Sequence, residues 1–198
     1  RHQPLYKRTR EALPDPVKQC ITNEEMTGQV HYFAYGSNMS LMRLKTRIQC
    51  VEPLGIATLT GHRLKFHKAG MDGSAKCDAS HTGKDRDTVL GVLYRMRGDE
   101  LDILDRIEGK GTGYDRRTLI ITDSAGRDMA AEAYMATRID SSLRPFSWYL
   151  EHVLQGALAT GLPKDYVAAI RAVPAIKDPD TQRHARELAI YATPSVVA

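Results

Sequence analysis

The sequence predicts an α+β domain, and three observations carry that expectation. Short runs with period-2 alternation follow one another between Val30 and Ala136, divided by Gly, Asp and Ser turn signals. Helical periodicity is set among and after these runs rather than alternating with them, which argues against a doubly wound sheet. The 198 residues are 42% hydrophobic and 26% charged, enough for one core without disulfides or metal.

The elements are expected as follows. Residues 1–28 carry Pro4, Pro14 and Pro16 with many polar groups and read as a tail or strap ahead of a domain at 29–175. The first strand ends at Tyr35, with Val30, Tyr32 and Ala34 on one face and His31, Phe33 and Tyr35 on the other. Leu41, Met42, Leu44 and Ile48 form a short amphipathic helix capped near Asn38 or Ser40. Gly55–Leu59 and Arg63–Phe66 read as strands, and Ala69–Asp87, with Gly70, Gly73 and Gly83 among charges, as a long mobile loop. A strand at Thr88–Met96 leads into a helix at Asp99–Ile107. Tyr114–Thr122 and Arg127–Ala136 flank Asp123-Ser124-Ala125-Gly126 as a hairpin. Two helices follow at Ser147–Thr160 and Lys164–Val173, split by Gly161-Leu162-Pro163. Residues 176–198 read as a weakly helical extension.

Composition excludes several classes of function. No apolar stretch approaches the ~20 residues that span a bilayer, and no leader-like apolar core follows the charged start, so neither membrane nor export is expected. The chain opens on Arg1 rather than Met, so upstream sequence is expected to have been removed. Cys20, Cys50 and Cys77 are irregularly spaced and suit reduced thiols in a cytoplasmic protein. The net charge of +4 comes from 28 basic and 24 acidic residues, interspersed rather than segregated, so no nucleic-acid partner is expected. Mild positive charge would still attract a substrate bearing carboxylates. There is no Walker loop, dinucleotide fingerprint or metal cluster, so no cofactor and no metal are implied. His62, His67 and His81 lack a nucleophile-elbow companion, and Cys77 beside Lys76 reads more simply as an idle buried thiol.

The most informative segment is Tyr32-Phe33-Ala34-Tyr35-Gly36-Ser37-Asn38-Met39, a strand that stops at a Gly-Ser-Asn turn before a helix. Successive backbone N–H groups there would form a concave donor cluster suited to a carboxylate or phosphate. An ordinary strand-turn-helix corner is the plainer reading of Gly-Ser-Asn alone. The full run resembles the substrate-binding loop of the γ-glutamylcyclotransferase family, in its γ-glutamyl amino acid branch. Similarity continues through Gly91-Val92-Leu93-Tyr94, Glu108-Gly109, Tyr114, Ala133-Tyr134-Met135, Tyr149, Gly156-Ala157 and Gly161-Leu162-Pro163. The resemblance implies a small mixed β-barrel with flanking helices, and it implies Tyr32, Phe33, Ala34, Tyr35, Gly36, Ser37, Asn38, Tyr114, Tyr134 and Tyr149 around a small-molecule γ-glutamyl substrate. It is compatible with a homodimer.

One carboxylate stands out. At 100° per residue, Leu101, Ile103, Leu104 and Ile107 share an apolar arc, and Glu108 falls inside it just before Gly109, Gly111 and Gly113. Partial burial and the negative end of the helix dipole act against a charge there. On pattern alone, Glu108 reads as a cap or ion pair for the glycine-rich loop. The resemblance reverses that, because Glu108-Gly109 aligns with the pair whose glutamate is the family's proton acceptor. The reaction implied is cyclisation of a γ-glutamyl amino acid to 5-oxoproline with release of the free amino acid. Cyclisation of a γ-glutamylated amine or specialised metabolite, or binding of an acidic ligand without turnover, are the alternatives.

Overall fold

The computed structural model describes residues 28–192; the expected tail lies, but for Gly28, outside the described residues. Five strands close into a barrel in the order β1-β5-β2-β6-β7, with β1 at Gln29–Ala34, β2 at Val51–Thr60, β5 at Thr88–Arg97, β6 at Tyr114–Asp123 and β7 at Asp128–Ala136. Neighbours are antiparallel except β1 and β7, which meet parallel at Tyr32 and Glu132 and so close the ring. Closure removes the exposed edges an open sheet of this size would carry. The alternation read in β1 does not separate core from solvent: Tyr32, Phe33, Ala34 and Tyr35 are all buried, and Cys77, Asp78 and Ala79 stand beside Tyr35.

The segment expected as a mobile loop is a correction. Ala75–His81 forms β4 and pairs with β3, His62–Ala69, in a separate antiparallel hairpin with a register shift between Phe66 and Lys68. Its charged residues concealed the strand, since Lys76 and Asp78 are tied down by Asp72 and His67 rather than solvated. The expectation of three reduced thiols also fails. Cys50 is disulfide-bonded, whereas Cys77 is a free, buried thiol. Irregular spacing in sequence carries no information about which sulfurs meet in space.

Helices position the site. A 3-10 turn at Ser37–Met39 runs into α1, Leu41–Leu44, whose N-cap Ser40 accepts a hydrogen bond from the Arg43 N–H. Helix α2, Gly98–Glu108, carries Asp99 and Glu100 in its first turn and ends on Gly109 in the left-handed region, φ 65°. It buries Leu101 and Leu104, but Ile107 is exposed, so the apolar arc is narrower than the helical projection gave. Helix α3, Ser147–Thr160, buries Trp148, Tyr149, His152, Val153, Gly156 and Ala157 in one stripe. Gly156 is where α3 crosses the 3-10 turn: a Cβ there would stand 2.5 Å from the backbone of both Met39 and Ser40. Helix α4, Lys164–Arg171, follows, and α5, Thr181–Leu188, reaches α1 through an ion pair of Glu187 with Arg43.

The stretch beyond residue 175 packs on the barrel domain through specific bonds. Trp148 Nε1 donates to Asp178 Oδ2 at 2.7 Å, and Arg183 grips the same carboxylate with two nitrogens. Glu187 bonds Arg43, and Tyr191 donates to Ser40 Oγ at 2.8 Å. The C-terminal segment thus braces the turn that follows β1.

Candidate active site

The strand end, the start of the helical turn and the C-terminus of α2 converge on one small recess. Tyr32, Phe33, Tyr35, Gly36, Ser37, Asn38, Glu108, Tyr114, Tyr134 and Tyr149 line it, as does Cys77 from β4. Of the residues singled out in the sequence, Ala34 alone is not brought there. It is buried in β1 opposite Val92, and its carbonyl lies 2.4 Å from where a Cβ on Gly91 would stand.

Four side chains form a connected polar cluster at the floor. Asn38 Nδ2 donates to Tyr32 Oη at 2.8 Å and to Glu108 Oε1 at 3.0 Å. Arg47 donates to Asn38 Oδ1 at 3.0 Å and to Glu108 Oε1 at 2.9 Å. The Asn38 amide is satisfied on both ends, which fixes its orientation. Both bonds to Glu108 fall on Oε1, and Oε2 receives no donor from the described residues. Arg47 was not foreseen. It sits beyond α1 among other basic residues, and nothing in that local pattern marks it as a partner of a residue 61 positions away.

The walls are made of tyrosines whose hydroxyls are already hydrogen-bonded, three of them to backbone. Tyr35 donates to the Tyr134 carbonyl, Tyr114 to the Cys77 carbonyl at 2.7 Å, and Tyr149 accepts from the Cys77 N–H at 3.0 Å. Tyr134 donates to Asp105 Oδ1 at 2.8 Å. Burial raises all of these hydroxyls above the ordinary tyrosine value, so they stay protonated at neutral pH. Tyr32 is raised as well, by burial first and by the Glu108 charge next. The Cys77 thiol is pushed up to about 12 by burial, which removes it as a nucleophile at neutral pH.

Gly36 earns its place by close approach and not by unusual backbone. Its φ is −114°, open to other residues, but a Cβ would stand 3.0 Å from Cys77 Cβ and 3.4 Å from Tyr149 Oη. The Met39 N–H reaches the Gly36 carbonyl and the Ser40 N–H reaches that of Ser37. The N–H groups of Gly36, Ser37 and Asn38 find no acceptor among the described residues. They are donors held at the recess without an internal partner, as a site for an anion requires.

The recess opens into a wider vestibule, and Ser37, Glu108, Tyr114 and Tyr149 belong to both. Lys68 from β3 stands at the junction with its ammonium 4.8 Å from the centre of the Tyr114 ring. Burial lowers that ammonium from its ordinary value, while Glu108 and Asp72 draw it back up. Among the described residues, no group of three or more His, Cys, Asp or Glu is arranged to hold a metal ion.

Known proteins resemble this chain in sequence and in fold. Residues 88–170 match the AIG2-like family. Gamma-glutamylcyclotransferase of Homo sapiens is 28% identical over 149 residues, which cover 72% of this chain and 77% of the human protein. The Bos taurus protein of the same name is 27% identical over the same coverage. Among solved structures, one described as a gamma-glutamyl cyclotransferase superposes with a TM-score of 0.68 at 24% identity, over 75% of this chain and 89% of that one. YkqA from Bacillus subtilis gives 0.62 at 22% identity, over 75% and 56%. The structural likenesses bear out the barrel fold. The sequence relatives bear out the resemblance to γ-glutamylcyclotransferases and support an enzyme of that kind.

Proposed function

We propose that the protein cyclises a γ-glutamyl amino acid to 5-oxoproline and releases the free amino acid, with Glu108 as the group that moves the proton. The single observation that carries the reading is the carboxylate of Glu108, held through Oε1 by Asn38 and Arg47 beside three unpaired backbone N–H groups. In this reaction the nucleophile belongs to the substrate. The α-amine attacks the γ-amide carbonyl, the new C–N bond closes a five-membered ring, and the old amide C–N bond breaks. No catalytic serine or cysteine is required, in keeping with the protonated state of Cys77.

What the protein must supply is geometry and one proton relay. Glu108 Oε2 takes a proton from the α-ammonium and returns it to the departing nitrogen. The amides of Gly36, Ser37 and Asn38 hold the glutamyl α-carboxylate, and the tyrosine walls keep the chain folded so that amine and carbonyl meet. Asn38 and Arg47 orient the carboxylate. The test is a panel of γ-glutamyl amino acids, γ-glutamylamines and glutathione, scored for 5-oxoproline. Release from the amino acid conjugates supports the reading. Binding of every member of the panel without release would favour a module that recognises an acidic ligand and does not turn it over.

A further inference from the structure

The vestibule is lined by Arg43, Arg47, Lys68, Lys76, Arg106 and Arg138, against the carboxylates of Asp72 and Glu108. Three of the cations are neutralised at contact distance: Arg43 by Glu187, Arg47 by Glu108 at 2.9 Å and Lys76 by Asp72 at 2.7 Å. Lys68, Arg106 and Arg138 have no carboxylate within ion-pair distance among the described residues. Arg106 and Arg138 are exposed, where water and salt compensate them. Lys68 is different. It is only 7% exposed, and its ammonium rests on the face of Tyr114, a residue that also lines the recess. Glu108 and Asp72 act on it only from beyond ion-pair distance, so its donors stay available to an anionic ligand.

We propose that Lys68, with Arg138 and Arg106 outside it, is a subsite for a second carboxylate on the leaving group, so that the favoured substrates are γ-glutamyl conjugates of acidic amino acids. The inference rests on the cyclisation reading above and adds to it the class of leaving group. The glutamyl α-carboxylate belongs to the amides of Gly36 to Asn38, and the cyclising carbonyl lies near Glu108. The leaving amino acid must then project through the shared residues Ser37, Tyr114 and Tyr149 into the vestibule. Any leaving amino acid brings one carboxylate. The three cations without a carboxylate at contact leave room for another, and Lys68, the least exposed of them, discriminates more strongly than the two at the rim.

The test compares γ-glutamylglutamate with γ-glutamylglutamine, which differ by one carboxylate against one carboxamide. In the parent at low ionic strength, kcat/KM should favour the acidic conjugate by about tenfold or more, chiefly through KM, the scale of one charge-assisted hydrogen bond. Lys68→Met should bring the ratio to within about threefold of unity, and the double variant Arg106→Gln/Arg138→Gln should lower it less while adding no new salt sensitivity. Circular dichroism checks that each variant is folded; should Lys68→Met not fold, Lys68→Gln and the double variant carry the test. Equal turnover of the two conjugates by the parent, or an unchanged ratio in the variants, overturns the subsite and leaves the cyclisation reading intact. Absence of 5-oxoproline from both overturns the cyclisation itself.

Discussion

The recess and the vestibule share Ser37, Glu108, Tyr114 and Tyr149, yet they are built in opposite ways. The recess is made from a contiguous strand and turn with tyrosine walls, its hydroxyls hydrogen-bonded and its one carboxylate held by Asn38 and Arg47. The vestibule is made from charges brought together from separate elements and loops, with half of its six cations lacking a carboxylate at contact among the described residues. A preorganised, desolvated pocket suits the part of a substrate that reacts and does not vary. Charges on long side chains suit the part that varies, since they attract by field and tolerate differences in shape.

That contrast predicts unequal consequences of mutation. The largest effect should come from the floor: Glu108→Gln keeps the shape and the Arg47 contact but removes proton transfer, and kcat for 5-oxoproline release should fall by about 10³-fold or more. Affinity for a nonreacting γ-glutamyl analogue, measured by calorimetry, should change far less. Activity within about tenfold of the parent would remove Glu108 from the role of base. Next comes the wall. Gly36→Val drives a side chain toward Cys77 Cβ, 3.0 Å from the first added carbon, and should weaken analogue binding by about tenfold or more, whereas Ser37→Ala, which spares the backbone donors, should cost about threefold or less. The reverse order would mean that the Ser37 hydroxyl carries recognition.

A smaller effect concerns the brace behind the recess. Glu187 is held down to about 2 from an ordinary 4.5, first by the hydrogen bond with His152 and then by Arg43. His152 is lowered from 6.5 because burial disfavours the imidazolium. Each binds fewer protons folded than unfolded, so its stabilisation is present above its unfolded value and is lost as pH falls. The loss begins through 6.5 for His152 and through 4.5 toward 2 for Glu187. Urea midpoints should therefore decline as pH is lowered from about 7 to 5 and decline further below that, with the lower part of the fall reduced in Glu187→Gln. A flat or rising midpoint on acidification would contradict the brace.

How much of this was legible in the sequence follows from the same contrast. The recess was legible because ten of its eleven lining residues belong to motifs read from the chain, and a contiguous strand-turn carries six of them. The barrel strands declared themselves through alternation and turn chemistry, and Asp123 to Gly126 marked the β6–β7 hairpin. Strand β4 did not, because Lys76 and Asp78 mimic a solvated loop until Asp72 and His67 are seen to neutralise them. Arg47 and Lys68 were silent for a related reason. Their importance lies in what they meet, 61 residues away in one case and the face of Tyr114 in the other, and a basic side chain carries no local sign of either.

The central claim is that the fixed recess takes the γ-glutamyl part with its reacting amine at Glu108, while the leaving group lies toward Lys68. The most direct measurement is a crystal structure with γ-glutamylglutamate in which a hydroxyl replaces the α-amine, so that ring closure through nitrogen is prevented. The account predicts the glutamyl α-carboxylate on the N–H groups of Gly36, Ser37 and Asn38, the α-hydroxyl within hydrogen-bond distance of Glu108, and the distal carboxylate against Lys68. An analogue seated in the reverse sense, with its α-hydroxyl in the vestibule and away from Glu108, would contradict it.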